Sequence, residues 1–305
     1  MNDPIDELEL SLRGRVLRSE SLEGYTTYRT GGEAEVLIEP ADEKDLATVV
    51  RYVRLKGIPL TVLGAGSNVI APDAGLDGVV LVLRRCLGSI SFLSGRRVRA
   101  GAGVMLDELI DAAGERGFAG LEELAGIPGT VGGAVFMNAG TKSAEISDRL
   151  SRLTILTCSG RKRVLNSNEL CFGYRKSSLQ GSGWLIVSAD FLLRSGDPAA
   201  LRERAEEIRN SRKRKYPWDL PSAGSVFKHP AGENAGRLIA EAGCKGMRSG
   251  GASVSDMHAN FIVNNGDATS ADIMDLVCRV RKMVFERSGV ILELEQIPLG
   301  RYMKS

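Results

Sequence analysis

The residues best suited to chemistry lie in two glycine-rich stretches. One runs from Glu122 to Gly140, EELAGIPGTVGGAVFMNAG, where Gly126, Pro128, Gly129, Gly132, Gly133 and Gly140 are not needed to fill a core. The other is Gly64-Ala-Gly66-Ser67-Asn68, directly after the apolar run Ile58 to Leu63. Glycine lets backbone amides approach a ligand closely and adopt positive φ. Successive amides in such a loop form a concavity for anions, typically phosphates. Two such turns far apart in the chain suggest a large, extended, phosphorylated ligand held from two sides. Neither is a Walker loop, because no Gly-Lys-Ser/Thr follows. Neither is a good Rossmann fingerprint: Gly64-Ala-Gly66 lacks the third glycine, and Gly101-Ala-Gly103 is followed by Leu106 where glycine should stand. Singly, each turn is more often structural than functional. Together with Asn138-Ala-Gly140 they favour a dinucleotide site of a different kind.

Three further groups can carry chemistry. Arg175, in Phe172-Gly-Tyr174-Arg175-Lys-Ser177, suits bidentate binding of a carboxylate or phosphate. From that stretch alone a surface ion pair is the better explanation. Ser225 lies in Ser222-Ala-Gly-Ser225-Val-Phe-Lys228-His229-Pro230, where no histidine and acid are spaced as in a nucleophile elbow. A hydrolytic role is disfavoured, and a hydroxyl near Lys228 serves better as a proton donor or ligand. Ser255-Asp-Met-His258 contains the letters of a triad but reads as a polar turn. Glu295 sits on the polar face of an alternating terminal segment, for which solvent exposure is the default explanation. His229 and His258 are the only histidines, so no histidine-built metal centre is expected. The five cysteines include no Cys-x-x-Cys pair and read as reduced thiols.

Periodic segments must position these groups. Asp42 to Lys56 carries Leu46, Val49, Val50 and Val53 on one helical face and stops at Gly57. Val104 to Arg116 and Thr269 to Ser288 repeat that stripe, and Gly289 closes the second. Leu201, Ala205 and Ile208 share one face of a charged helix ending in Arg212–Lys215. That basic run is read as a solvated helix end, favoured by the macrodipole, rather than a nucleic-acid patch. Strands are predicted at Val36–Ile38, Ile58–Leu63, Gly78–Leu83, Leu153–Thr157, Trp184–Leu193 and Val290–Ile297. A joint is placed between Leu83 and Gly95, and a change of character near Asp197-Pro198. A length of 305 residues suits two or three domains, and a net charge of +2 gives no reason to expect nucleic acid. No apolar run is long enough to cross a bilayer, and the acidic start MNDPIDELEL is unlike a signal peptide, so a cytoplasmic protein is expected.

In order, Tyr28-Arg-Thr-Gly-Gly32, Leu63–Asn68, Gly126-Ile-Pro-Gly-Thr-Val-Gly-Gly133, Asn138-Ala-Gly140, Gly173-Tyr-Arg175 with Ser177, Ala223–Lys228, Gly236-Arg-Leu-Ile239, Ser255–Asn264 and Leu292-Glu-Leu-Glu295 resemble the UDP-N-acetylenolpyruvoylglucosamine reductases. The resemblance implies an α+β fold: a two-part FAD-binding region of the vanillyl-alcohol-oxidase (PCMH) type, residues 1–84 and 85–197, then a smaller α+β substrate-binding domain, residues 198–305. It implies non-covalent FAD, with Arg29, Gly64, Gly66, Ser67, Asn68, Pro128, Gly129, Thr130, Gly132, Gly133, Asn138 and Gly140 around it. NADPH is the implied co-substrate, and UDP-N-acetylglucosamine enolpyruvate the substrate, held by Lys215, Lys228, His229, His258 and Asn260. Arg175, Ser225 and Glu295 match the catalytic trio. Ser225 is the implied proton donor, and Arg175 and Glu295 stabilise the enolate. The direct run from Arg175 to Trp184 matches the shorter subtype, which lacks a tyrosine-bearing loop. His229 stands where the family usually has asparagine. A monomer is expected, with neither metal, membrane nor nucleic-acid partner.

Overall fold

The computed structural model describes residues 4–84 and 86–300. Helices fall at Pro4–Ser11 (α1), Glu43–Lys56 (α2), Leu106–Glu115 (α3), Val131–Met137 (α4), Pro198–Lys215 (α5), Ala235–Glu241 (α6) and Ser270–Ser288 (α7). The chain forms two compact units. One comprises Met1–Arg18, Val36–Ala65 and Gly78–Asn210, the other Ser19–Glu35, Gly66–Asp77 and Ser211–Ser305. The second unit thus takes in two stretches from the first 84 residues.

In the first unit, α2 starts where the Asp42 carboxylate accepts the N–H groups of Lys44 and Asp45 and stops at Gly57, φ 67. Its stripe Leu46, Val49, Val50 and Val53 is buried in one core with Val36, Ile38, Val79 and Leu81 of a four-stranded sheet. That sheet has the order Arg15–Ser21, Glu33–Glu39, Leu76–Val82, Leu60–Leu63, and the last two strands run parallel with Leu63 opposite Val82. Leu60–Leu63 therefore delivers the chain into the Gly64 turn. A five-stranded antiparallel sheet follows, in the order Lys162–Asn166, Leu150–Leu156, Leu185–Leu192, Arg97–Gly101, Ile90–Leu93. The segment read as a joint contributes the edge strand Ile90–Leu93 to this sheet. The buried face of α3, Leu106, Leu109, Ile110 and Ala113, belongs to the same core.

The central glycine stretch is partly helical, which the composition did not suggest. Thr130 caps α4 by accepting the Gly133 N–H at 3.3 Å, and Asn138 ends it at φ 47. Gly132 is required by packing, because a Cβ there would lie 2.8 Å from Ala102 Cβ.

In the second unit, α7 carries the buried stripe Ile273, Leu276, Val277, Val280 and Val284. Thr269 and Asp272 exchange hydrogen bonds at its start as a capping box, and Gly289 ends it at φ 70. The Asp73 carboxylate accepts the N–H groups of Ser270 and Ala271, both at 2.8 Å. The strand expected at Val290–Ile297 is not continuous. Leu294 makes one bridge to Phe227, and a short strand, Ile297–Pro298, pairs in parallel with Val69–Ile70. Burial alternates only at Leu292, fully buried, and Glu293, exposed; Leu294 and Glu295 are both half-buried, and only Glu293 to Glu295 face a partner backbone around Phe227.

Candidate active site

In the first unit the two glycine turns meet. A Cβ at Gly64 would lie 2.5 Å from Thr130 Oγ1, so only glycine admits this approach. Gly126 at φ 73 and Gly129 at φ 141 bend the second turn. The main-chain N–H groups of Gly64, Ala65, Gly129 and Thr130 donate to no acceptor among the described residues. Unpaired amides at two touching turns are the donors a diphosphate requires, so the donor set fits the pyrophosphate of FAD. Gly133, at the start of α4, has no tight neighbour, and Gly140 is fixed by Ala144 and Glu145, which a Cβ would strike. Asn138 is occupied with its own protein: its amide donates to Glu145 Oε2 at 2.6 Å and to the Gly173 carbonyl at 3.0 Å.

Arg175 stands beyond the C-terminal end of α4, against the Gly140 carbonyl. It occupies a tight turn between the paired strands Phe172–Gly173 and Lys176–Ser177, at φ 54. A left-handed arginine costs roughly 1–2 kcal/mol relative to the ordinary helical well. The neighbours hold it there: Nη2 donates to the Gly140 carbonyl at 2.8 Å, the guanidinium lies 5.0 Å from the Tyr174 ring centre, and Ser177 Oγ donates to Phe136 O at 2.6 Å. The arginine is half-buried, so it is neither a plain surface cation nor a sealed ion pair.

The second unit holds Ser225 and Glu295 on one frame. Glu295 N donates to Val226 O at 2.8 Å and Lys228 N to Glu293 O at 2.9 Å, bracketing the Phe227–Leu294 bridge. Lys228 Nζ pairs with Glu293 Oε1 at 2.5 Å. The fully buried Asn260 grips the segment from the other side, accepting Phe227 N at 2.9 Å and donating to Phe227 O at 2.8 Å. Asn68 Nδ2 donates to Glu295 O at 3.2 Å, so the loop after Gly66 is tied to the terminal segment. Gly66, φ 65, is forced to be glycine by Tyr25 O, which a Cβ would overlap at 2.0 Å. Ser67 lies between them, half-buried. Arg29 is exposed at φ 55 between the buried Tyr28 and Thr30.

The remaining residues named from the sequence fall in the same unit. Lys215 is exposed at the end of α5. His229 Nδ1 accepts the Ala235 N–H at 3.1 Å at the start of α6. His258 packs edge-on against Tyr216 at 5.1 Å and Phe261 at 5.2 Å, with its Nδ1 buried and without a hydrogen-bond partner among the described residues. Burial first, then the nearby charges of His229 and Lys245, push its pKa down and keep the ring neutral. Arg175 belongs to the first unit, and Ser225, Glu295, Lys228, His229, His258 and Asn260 to the second. Sequence reasoning missed Tyr28, Asn264 and Gln296. Tyr28 and Asn264 stand in segments that carry the resemblance, but nothing there marks their roles: the Asn264 and Gln296 amides hold the carbonyls of Tyr28 and Ala223, and the Tyr28 hydroxyl donates to the Gln296 side chain.

Comparison with known proteins agrees with this architecture. Residues 34–166 match the family model of an FAD binding domain, and residues 216–297 match that of the UDP-N-acetylenolpyruvoylglucosamine reductase C-terminal domain. The UDP-N-acetylenolpyruvoylglucosamine reductase of Moorella thermoacetica is 43% identical over 289 residues, 95% of each chain. That of Synechococcus sp. is 43% identical over 292 residues, 95% of this chain and 93% of the relative. The crystal structure of UDP-N-acetylenolpyruvylglucosamine reductase from Thermus caldophilus is 35% identical, covers 95% of this chain and all of its own, and superposes with a TM-score of 0.80. The expected α+β fold, with an FAD-binding part and a second part toward the C-terminus, is thereby borne out. With this identity along nearly its whole length, the chain belongs to the UDP-N-acetylenolpyruvoylglucosamine reductase family.

Proposed function

We propose that the chain reduces UDP-N-acetylglucosamine enolpyruvate to UDP-N-acetylmuramate in peptidoglycan precursor synthesis, using non-covalent FAD and NADPH and acting as a cytoplasmic monomer. Within family membership, the observation that carries this reading is the common frame of Ser225 and Glu295, bracketed by the Glu295 N to Val226 O and Lys228 N to Glu293 O bonds. The amides of Gly64, Gly129 and Thr130, with Pro128, Gly132 and Gly133 shaping their turn, hold the cofactor diphosphate in this reading. Gly66, Ser67, Asn68, Arg29, Asn138 and Gly140 complete the cofactor site. Residues 1–197 then form the FAD-binding region in its two parts, and residues 198–305 form the substrate-binding domain.

FAD, when bound, would supply the hydride chemistry between NADPH and the enolpyruvyl double bond. The chain's own residues manage charge and protons. Arg175 offers a fixed cation to the negative charge that develops on the enolpyruvyl carboxylate, a stabilisation that strengthens as the charge forms. Glu295, in its protonated form, donates a second hydrogen bond to that charge. The Ser225 hydroxyl gives its proton to the adjacent carbon. Lys215, Lys228, His229, His258 and Asn260 bind the UDP-sugar. His229 can still donate one hydrogen bond from Nε2, because its Nδ1 is already an acceptor. The direct run from Ser177 to Trp184 supports assignment to the shorter subtype.

The test is anaerobic NADPH oxidation by the FAD-loaded protein, with and without UDP-N-acetylglucosamine enolpyruvate. Turnover that depends on the enolpyruvyl compound is the expected result. Flavin that is reduced by NADPH and stays reduced in its presence would overturn the substrate assignment.

A further inference from the structure

Ser225 is held by its backbone rather than by its side chain. Its half-buried hydroxyl has no protein partner among the described residues, so where Oγ points follows from the main chain on either side. Downstream, Val226 N donates to Asn260 O at 2.9 Å, and Phe227 is gripped by the Asn260 amide. Upstream, the chain turns at Gly224, φ 73. That turn is held by one side chain: Gln296 Nε2 donates to Ala223 O at 3.0 Å and to Gly224 O at 3.2 Å.

Gln296 is 2% exposed and its amide orientation is forced. Only its nitrogen can donate to two carbonyls, so its oxygen must accept, and it does so from Tyr28 Oη at 3.1 Å. Tyr28 is fully buried, and burial raises its phenol pKa, so the hydroxyl stays a donor. The Tyr28 carbonyl accepts from Asn264 Nδ2 at 2.9 Å. The side-chain polar atoms of Tyr28 and Gln296 are all matched, and the chain of contacts ends at the residue before Ser225.

We propose that Tyr28 and Gln296 are positioning residues that set the aim of the Ser225 hydroxyl. The proposal rests on the reading of Ser225 as proton donor. Without the Tyr28 hydroxyl the Gln296 oxygen is left buried and bare, and the amide rotates to find another partner. The two carbonyls before Ser225 are then released, and a misplacement on the order of 1 Å is enough to slow a positioned transfer substantially.

The experiment is anaerobic stopped-flow of the two half-reactions on the full-length, FAD-loaded protein, comparing Tyr28→Phe, Ser225→Ala and the double variant. Tyr28→Phe is expected to leave the flavin spectrum and reduction by NADPH unchanged within about twofold. It should slow reoxidation by UDP-N-acetylglucosamine enolpyruvate roughly 10-fold. In the Ser225→Ala background it should add less than about twofold, because no hydroxyl remains to be aimed. Equal slowing of both half-reactions would overturn the proposal, as would the same 10-fold slowing in the Ser225→Ala background. Normal reoxidation in Tyr28→Phe, with Ser225→Ala slow, overturns the positioning role alone. Normal reoxidation in Ser225→Ala overturns the proton-donor reading and the proposal together. Gln296→Met, which keeps the length but removes both polar ends, is read by the same criteria if Tyr28→Phe does not fold.

Discussion

At Arg29, stability and cofactor affinity are expected to move in opposite directions. The backbone there has φ 55, and the exposed side chain makes no hydrogen bond or ion pair among the described residues. A left-handed L-residue costs roughly 1–2 kcal/mol, which glycine does not incur. Glycine loses about 0.5–1 kcal/mol in backbone entropy. The difference leaves Arg29→Gly between equal to the parent and about 1.5 kcal/mol more stable as apoprotein, a rise of up to about 3–6 °C in Tm. Arg29→Ala keeps the strained backbone and gains nothing. On the cofactor side, one charge-assisted hydrogen bond to phosphate contributes roughly 1.5–3 kcal/mol, so both variants should bind FAD about 10- to 150-fold more weakly. Thermal unfolding of the apoproteins and fluorescence titration with FAD at two salt concentrations measure both quantities. FAD binding by Arg29→Gly as tight as the parent's would remove Arg29 from the cofactor site. An Arg29→Gly apoprotein less stable by more than about 1 kcal/mol would refute the strain argument.

Ser225→Ala should leave flavin reduction by NADPH nearly intact and slow reoxidation by substrate roughly 10²-fold or more, as for loss of a positioned general acid; unchanged reoxidation in stopped-flow would contradict it. Gly64→Ala must displace Thr130 Oγ1, 2.5 Å from the new Cβ, and with it the cap of α4. The expected result is a loss of roughly 1–3 kcal/mol in thermal unfolding and less flavin retained on purification, and parent-like values would refute the contact. His258, with its pKa below the ordinary 6.5, takes up a proton more readily unfolded than folded. Stability therefore falls as pH drops from about 7 toward 5, and His258→Phe should flatten that part of the Tm–pH curve. Parallel curves for parent and variant would exclude His258 as the source.

Much of the fold was legible because local signals agreed. Asp42 and Gly57 bracket α2, and Thr269 and Gly289 bracket α7, where the 3.6-residue stripe runs between a side-chain cap and a left-handed stop. α4 was not legible, because Gly132 and Gly133 are poor helix formers. It forms because Thr130 caps it and Gly132 fits against Ala102, neither visible in composition. The alternation of Leu292, Glu293, Leu294 and Glu295 was read as a full strand. Alternation reports burial on one side but cannot say how many partners a backbone will find. At the site, the glycine turns and the ordered motifs around Arg175, Ser225 and Glu295 were readable as residue types with known chemistry. Tyr28 and Gln296 were not, since a buried amide holding two carbonyls looks in sequence like any glutamine.

The second unit also has a history in time. Tyr28 and Gln296 are 268 residues apart, yet they share a buried hydrogen bond. Thr30 reaches Ser270, and Asp73 caps α7, across similarly long stretches of chain. At roughly 5–20 residues per second of synthesis, the ribosome makes Tyr28 about 13–54 s before its partner exists. Tyr28, Thr30 and Asp73 must therefore wait for these partners until residues 270–296 emerge. A fragment beginning at Ser211 would lack both stretches, so its α7 amides and the Gln296 oxygen would have no partners. The turn before Ser225, the serine proposed as proton donor, can be set in place only after Gln296 has left the ribosome.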